Sequence, residues 1–564
     1  MENKEYMLID GNPVEINGEK NLLEVIRKAG IELPTFCYHS ELSVYGACRM
    51  CMVENSHGGM EAACSTVPKA GMEIYTNTER LHKHRKMILE LLLANHCRDC
   101  TTCQKNGKCR LQELASLFGL ESIRFKNLKP EPELDTSSLS IIRDAHKCIL
   151  CGDCVRMCNE IQNVGAIDFV NRGSKMVIGP AFNEPIANSP CVGCGQCAAV
   201  CPTGAIVIRK DTGRVWPELN DKNTKVVAQV APAVRVAMAK EFGLPENENS
   251  MGRITAALRR LGFDEVYDTA TGADLTVLEE SNEFLQRIEA GENLPLITSC
   301  CPAWIQYCEK NHPELMKNIS TCKSPMQMFS SVIKAKYATS SRRVVCVAVM
   351  PCTAKKFECA REEFMHDGVP ETDYVITTQE LIQMIHKAGI VFEELEPEAV
   401  DSVFSTCTGA GVIFGVTGGV TEAVLRRLST DKSNKALMSI AFNDVRGMKG
   451  VKETTIPYGD KEVRIAIVSG LKNAEKVIQA LKNGEHFDFI EVMACPGGCV
   501  AGGGQPFGTN ATKEVRGKAL YSADKMLSIK RSEENPLMLS LYDGVLKGRV
   551  HELLHVHYNH KEEE

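Results

Sequence analysis

Several features are missing from this 564-residue chain, and each absence removes a class of function. No long run of one charge sign occurs and the formal net charge is only −7, which gives no support to nucleic-acid binding. No apolar stretch approaches the roughly 18–20 residues that a membrane span needs. The opening MENKEYMLIDG lacks a basic stretch leading into an apolar one, so no secretory signal is expected. A convincing nucleotide site is also missing: the GGG at 502–504 follows a cysteine instead of opening a strand–turn–helix. A soluble, cytoplasmic chain is the expectation. With 44% hydrophobic residues a sizeable core is possible, and the length predicts about three or four domains. Cysteine, by contrast, is abundant, with 26 in all. In a reducing compartment metal ligation explains that number better than disulfides do.

The spacing of the cysteines tests this. Cys37, Cys48, Cys51 and Cys64 contain one tight CxxC flanked at loop distance. Four thiolates suit an iron–sulfur cluster, and a structural zinc site stays open as the alternative. The segment before them, MLIDGNPVEINGEKNLLEVIRKAGI, reads strand, turn, strand, helix and resembles a 2Fe-2S ferredoxin. A second group, His96, Cys100, Cys103 and Cys109, follows an amphipathic helix whose apolar stripe is read as Leu81, His84, Met87, Ile88, Leu91 and Leu92. A lone histidine there is more often a plain core or surface residue. Heading HCRDCTTCQKNGKC, it makes one-histidine, three-cysteine ligation plausible, with Cys97 outside the spacing. Cys148, Cys151, Cys154 and Cys158 follow C-x2-C-x2-C-x3-C, and Cys191, Cys194, Cys197 and Cys201 repeat it. In this bacterial two-cluster ferredoxin pattern the fourth cysteine of each run serves the other cluster. Cys201 therefore joins the first run and Cys158 the second. Together these groups imply one 2Fe-2S cluster and three accessory 4Fe-4S clusters, a row able to conduct electrons.

After about residue 209 strands and helices alternate. Lys225–Val230, Leu294–Thr298, Val344–Met350 and Phe489–Met493 read as buried parallel strands. They run into Ala-Pro-Ala, Ser-Cys-Cys-Pro, Pro-Cys-Thr-Ala-Lys-Lys and Ala-Cys-Pro-Gly-Gly-Cys. Ligands bind beyond the carboxyl ends of such strands. Cys301, Cys352, Cys495 and Cys499 would hold one more 4Fe-4S cluster. Cys308, Cys322, Cys346, Cys359 and Cys407 read as small buried hydrophobes.

TSCCP at 298–302, MPCTAKKFE at 350–358 and ACPGGC at 494–499 resemble the three signatures of the FeFe (iron-only) hydrogenases. The resemblance covers nearly the whole chain. It implies reversible oxidation of H2 to protons and electrons at an H-cluster: a 4Fe-4S unit bridged by cysteine to a di-iron unit with CO, cyanide and azadithiolate. By similarity Cys301, Cys352, Cys495 and Cys499 ligate the first unit and Cys499 is the bridge. Cys300 relays protons, and Lys355 bonds a cyanide. Ala231, Pro232, Met350, Phe414 and Met493 line the pocket, although methionines are also common gap fillers. Glu280, Glu283 and Arg287 share one helix face, ordinarily a solvated one. The resemblance makes it a proton path through Arg287, Glu283, Ser320, Glu280 and Cys300. Two departures stand near the site: Ala233 where relatives often have Ser, and Ala501 where they often have Asn.

The expected architecture is multidomain α/β. A ferredoxin-like 2Fe-2S domain spans 1–78, and a one-histidine/three-cysteine 4Fe-4S domain spans 79–126. A bacterial two-4Fe-4S ferredoxin domain spans 127–209, and a two-lobed α/β H-cluster domain spans 210–564. The implied partners are ferredoxin, or flavin-containing NAD(P)-binding diaphorase subunits with a small thioredoxin-like 2Fe-2S subunit. Maturation proteins would insert the di-iron unit. Two other readings compete: a non-hydrogenase iron–sulfur electron-transfer subunit and an iron–sulfur assembly scaffold. The hydrogenase signatures count against the first, and the presence of Cys300, Lys355 and the 280–287 helix against the second.

Overall fold

The computed structural model describes residues 5–127, 133–429, 445–458 and 461–558. The chain opens with strands β1 (Glu5–Ile9) and β2 (Asn12–Ile16), then the helix Leu22–Lys28, as the sequence predicts. Asn21 starts this helix by accepting the Glu24 backbone N–H, a polar cap for an otherwise unsatisfied donor. β3 (Met52–Asn55), β4 (Met60–Ala62) and β5 (Glu73–Tyr75) complete a five-stranded sheet in the order β2-β1-β5-β3-β4.

The predicted helix follows at Glu79–Ala94, but its buried stripe differs from the expected one. Met87 and Leu91 are exposed, and His84 is only half-buried, while Leu81, Arg85, Leu89, Glu90 and Ala94 face inward. Arg85 causes the difference. Its guanidinium donates to the Met50 and Met52 carbonyls at 3.3 and 2.8 Å, so the polar end of a long side chain satisfies loop carbonyls next to Cys51. Periodicity counts apolar side chains and misses such a residue.

A small unit of two-stranded ladders comes next: β6 (Ile141–Arg143) with β9 (Ile206–Ile208), and β7 (Asp168–Val170) with β8 (Val177–Gly179). Two short helices, Asp153–Arg156 and Gln196–Val200, carry the cysteine runs.

The remainder is built on two four-stranded sheets. The first, in order β11-β10-β13-β16, is all parallel: β10 is Thr224–Val230, β11 Glu265–Asp268, β13 Arg343–Met350 and β16 Tyr374–Thr377. The second, in order β12-β19-β18-β17, contains β12 (Leu296–Ile297), β17 (Val451–Tyr458), β18 (Lys461–Ser469) and β19 (Phe489–Met493). Only β17 runs antiparallel there. β14 (Met365–His366) and β15 (Val369–Pro370) form a separate hairpin. The interiors of β10 and β13 are almost wholly buried, as expected of parallel strands covered on both faces. β10 and β13 end at one sheet's carboxyl edge, β12 and β19 at the other's.

Candidate functional site between two sheets

The loops leaving these four strands carry the predicted site residues. One cavity is lined by Ala231 and Pro232 after β10, Met350 at the end of β13 with Cys352 and Lys355 beyond, Cys300 after β12, Met493 at the end of β19, Cys499 and Phe414. Every pocket residue expected from the sequence therefore reaches one place. Thr269, Pro325 and Met326 also line it and were not expected.

Cys301, Cys352, Cys495 and Cys499 lie close enough to oppose one another's ionisation. Burial pushes Cys499 up to about 12, and the Cys352 and Cys301 sulfurs push the same way, with Lys355 pulling down. Burial pushes Cys352 up to about 11, with Cys301 adding to it. Cys495 is raised well above the thiol range by burial, then by Cys352, Cys301 and Cys499. Hydrogen bonds nevertheless point at the sulfurs: the Ala494 backbone N–H at Cys301 (3.4 Å) and the Gln196 amide at Cys495 (3.1 Å). All 26 cysteines are free. Buried thiols from three separate segments, mutually repelling as thiolates yet supplied with N–H donors, fit an iron–sulfur centre. A metal held there would offset the repulsion, and the N–H···S bonds would tune the cluster.

The same device recurs outward. N–H donors meet Cys37, Cys103, Cys148 and Cys191 at 3.3–3.4 Å. One small cavity is lined by Cys148, Cys151, Cys154 and Cys201, a second by Cys158, Cys191, Cys194 and Cys197, which is the crossed arrangement expected from the spacing. In the first group Cys37 pairs with Cys48 and Cys51 with Cys64 through their side chains. The Arg98 backbone N–H donates to His96 Nδ1 at 3.2 Å, so a metal would be taken on Nε2. These residues fit iron–sulfur clusters in each case.

The innermost run touches the candidate centre directly. Gln196 bridges Cys495 Sγ and the Ala501 carbonyl, 2.8 Å away. Thr353, beside Cys352, donates to the Gly193 carbonyl at 2.7 Å and accepts through its own carbonyl from Ser140 at 3.0 Å. The sequence reading missed Gln196 and Thr353, because their partners lie far along the chain.

Cys300 lines the cavity. Burial raises its thiol well above the usual range, with the Glu280 charge next in effect. Lys355 donates to the Cys300 carbonyl at 3.2 Å and pairs with Glu358 at 2.7 Å. Burial is the largest single influence and works against its ammonium, but the Glu358 charge and hydrogen bond, with the Cys352 and Cys300 sulfurs, together outweigh it and hold the pKa above the lysine range.

Glu280 is fully buried on the helix Ala270–Ala290. Burial pushes its carboxyl up to about 8, with Glu283 adding to the rise. No donor meets either oxygen in good hydrogen-bonding geometry, although Ser320 and the Ser299 N–H are near enough to moderate the shift. One turn along, Glu283 accepts from Arg287 at 2.6 Å and from Ser320 at 2.8 Å. Glu283 and Arg287 are about one-tenth exposed, at 11% and 12%. Arg287, Glu283 and Ser320 are thus hydrogen-bonded in series, with Glu280 near Ser320 and its charge felt by Cys300. Glu491, also missed, is buried nearby and accepts from Gly418, Thr421 N–H and Thr421 Oγ1 at 2.6, 2.8 and 2.9 Å.

Comparison with known proteins agrees with this geometry. The family model "Iron only hydrogenase large subunit, C-terminal domain" matches residues 224–503, and "Iron hydrogenase small subunit" matches 510–561. Upstream, a 2Fe-2S iron-sulfur cluster binding domain matches 6–79, the NADH-ubiquinone oxidoreductase-G iron-sulfur binding region matches 85–124, and a 4Fe-4S dicluster domain matches 147–209. The chain is 41% identical to the NADP-reducing hydrogenase subunit HndD of Solidesulfovibrio fructosivorans, covering 98% of each. It is 35% identical to iron hydrogenase 1 of Clostridium pasteurianum, over 98% of this chain and 99% of that one. Among solved structures, a variant of the [FeFe]-hydrogenase HydA1 from Chlamydomonas reinhardtii superposes with a TM-score of 0.54 at 37% identity, covering 62% of this chain and 98% of that one. With relatives matched end to end and the signature cysteines gathered at one buried centre, this chain belongs to the iron-only hydrogenases, oxidoreductases that interconvert H2 with protons and electrons.

Proposed function

We propose that this hydrogenase is the hydrogen-converting subunit of an NAD(P)-linked, multisubunit enzyme of the cytoplasm. Its likeness along the whole length to an NADP-reducing hydrogenase subunit supports this, as does the match of 85–124 to an NADH-ubiquinone oxidoreductase-G region. Flavin-containing diaphorase subunits and a small thioredoxin-like 2Fe-2S subunit would then take the electrons. The competing acceptor is ferredoxin alone.

Four units share the work: 1–78 with a 2Fe-2S cluster on Cys37, Cys48, Cys51 and Cys64, and 79–126 with a 4Fe-4S cluster on His96, Cys100, Cys103 and Cys109. Residues 127–209 hold two 4Fe-4S clusters, and 210–564 the H-cluster on Cys301, Cys352, Cys495 and Cys499. When bound, the di-iron unit supplies the metal chemistry that makes and splits hydrogen. The protein holds and moves the proton. Arg287 and Glu283 pass it from solvent, Ser320 hands it on by donating and accepting in turn, and Glu280, with its raised pKa, carries it at neutral pH. Cys300 Sγ is the last protein atom before the cavity. Lys355 presents a buried positive charge for an anionic ligand of the cofactor, which in a dry pocket needs a cation or strong donors. Met350, Met493, Phe414, Ala231 and Pro232 exclude water.

The lining of a single cavity by Cys300, Lys355 and Cys499 carries this reading. Purification of the native complex tests the partners: co-purifying flavoprotein subunits with H2-dependent NAD(P) reduction are expected. A chain that purifies alone and reduces only ferredoxin would overturn the multisubunit reading. Infrared bands of bound CO and cyanide test the cofactor, and their absence after maturation would remove the H-cluster.

A further inference from the structure

Cys322 reads from sequence as an inert buried thiol, yet its neighbours suit another purpose. A β-bridge pairs Cys322 with His555, from the far end of the chain. Opposed residues in such a bridge place their side chains side by side. Val556 N–H donates to the Thr321 carbonyl at 2.7 Å, and Lys323 N–H to the Leu554 carbonyl at 2.8 Å, so the pairing is held on both sides. Cys322 Sγ lies 3.8 Å from Glu283 Oε2. One ligand atom each from Glu283, Cys322 and His555 falls within 4.8 Å of the others. His555 is further oriented by Glu279, whose Oε2 is 3.1 Å from Nε2, while Nδ1 meets Thr321 Oγ1 at 2.9 Å. With Glu279 on Nε2, Nδ1 is the nitrogen left for a metal, which would displace its Thr321 contact; a carboxylate on the second imidazole nitrogen is the arrangement that orients metal-binding histidines. One thiolate, one imidazole and one carboxylate suit a borderline-soft ion, and three protein ligands leave a fourth position for water. The His555 and Glu283 side chains are 8% and 11% exposed, which gives an ion a way in.

We propose that Glu283, Cys322 and His555 bind a divalent zinc ion, and that filling this site stops proton flow at Glu283. Binding releases the Cys322 thiol proton to solvent. The metal takes Glu283 Oε2, which now accepts from Ser320 at 2.8 Å, so Ser320 loses its outer partner. This second half rests on the proton path proposed above. The first half does not.

The experiment titrates the matured enzyme anaerobically with zinc sulfate, following heat of binding, hydrogen evolution and the zinc absorption edge. One site with a single sulfur ligand is expected. Cys322→Ala and His555→Gln should each weaken binding by at least the ~10–100-fold typical of a lost orienting partner. Hydrogen evolution should fall as the wild-type site fills, recover on adding EDTA, and stay unaffected by the same zinc in both variants. Equal affinity in all three proteins overturns the site, as does zinc bound by three or four sulfurs, which means exchange into a cluster. Binding that the variants lose but that never slows the wild type keeps the site and overturns the role of Glu283 in proton flow.

Discussion

In the proposed proton path the decisive group is the buried carboxyl of Glu280. Its pKa rises from 4.5 to about 8 because the site is dry and Glu283 stands near. Replacing it by Gln keeps the shape and removes the exchangeable acid. Hydrogen turnover should fall by about 10²–10⁴-fold, the usual worth of a positioned proton-transfer group, with iron content unchanged. Unchanged turnover removes Glu280 from the path. A stability consequence has the opposite sign to that of a salt-bridged carboxylate. The folded state holds a proton that the unfolded chain releases, so Glu280 favours folding fully below pH 4.5 and loses that contribution as pH rises toward about 8. Denaturation of wild type and Glu280→Gln should therefore diverge across this window, with the wild type losing up to about 1.4 kcal/mol per pH unit relative to the variant. Parallel curves would mean that Glu280 is ionised in the folded protein.

Between elements, the contact that matters most joins the helix Gln196–Val200 to the loop after β13. Gly195 has φ +71°, and an added Cβ would sit 2.3 Å from Thr353 Oγ1. Gly195→Ala should cost about 1–3 kcal/mol through overpacking and strain and separate the inner cysteine run from Cys495. Dye reduction by H2 should drop, because in the proposed cluster row electrons cross this contact. H2/D2O isotope exchange should persist, because it needs protons and the metal centre but no outward electrons. Equal loss of both activities would place the damage in the catalytic centre itself. This contact illustrates where sequence reading stops. The cysteine runs are legible because their spacings are short and regular in the chain. The partners Gln196 and Cys495 are 299 positions apart, and nothing local to either residue announces the other. Likewise Arg85 turns the Glu79–Ala94 helix inward through carbonyls that periodicity does not register.

Across the whole molecule, the amino-terminal units and the two-sheet body rest on different supports. The body has large apolar cores on both sheets. The 133–209 region has short two-stranded ladders and a smaller apolar core against which Cys148, Cys154, Cys158, Cys191, Cys197 and Cys201 pack. The clusters proposed for this region would couple its folding to metal binding. Removing iron with a chelator should raise hydrogen exchange first in 133–209 and around Cys100–Cys109, while β10 and β13 stay protected. Simultaneous loss of protection throughout would show that the two-sheet body also depends on metal. Lys513 pairs with Glu41 at 2.6 Å, tying the helix Asn510–Met526 to the first unit, a contact no local pattern foretells.

By itself, the amino-acid order determined the cysteine runs and their spacing, the alternating α/β plan and the three hydrogenase signatures. These depend on neighbours in the chain, through chelate spacing, strand burial and turn chemistry. Only the tertiary structure decided that four strand ends from two sheets share one cavity, that Gln196 reaches Cys495, and that His555 stands opposite Cys322. The physical reason is that packing brings together groups hundreds of residues apart, and the energy of such contacts depends on distance in space, which local sequence does not encode.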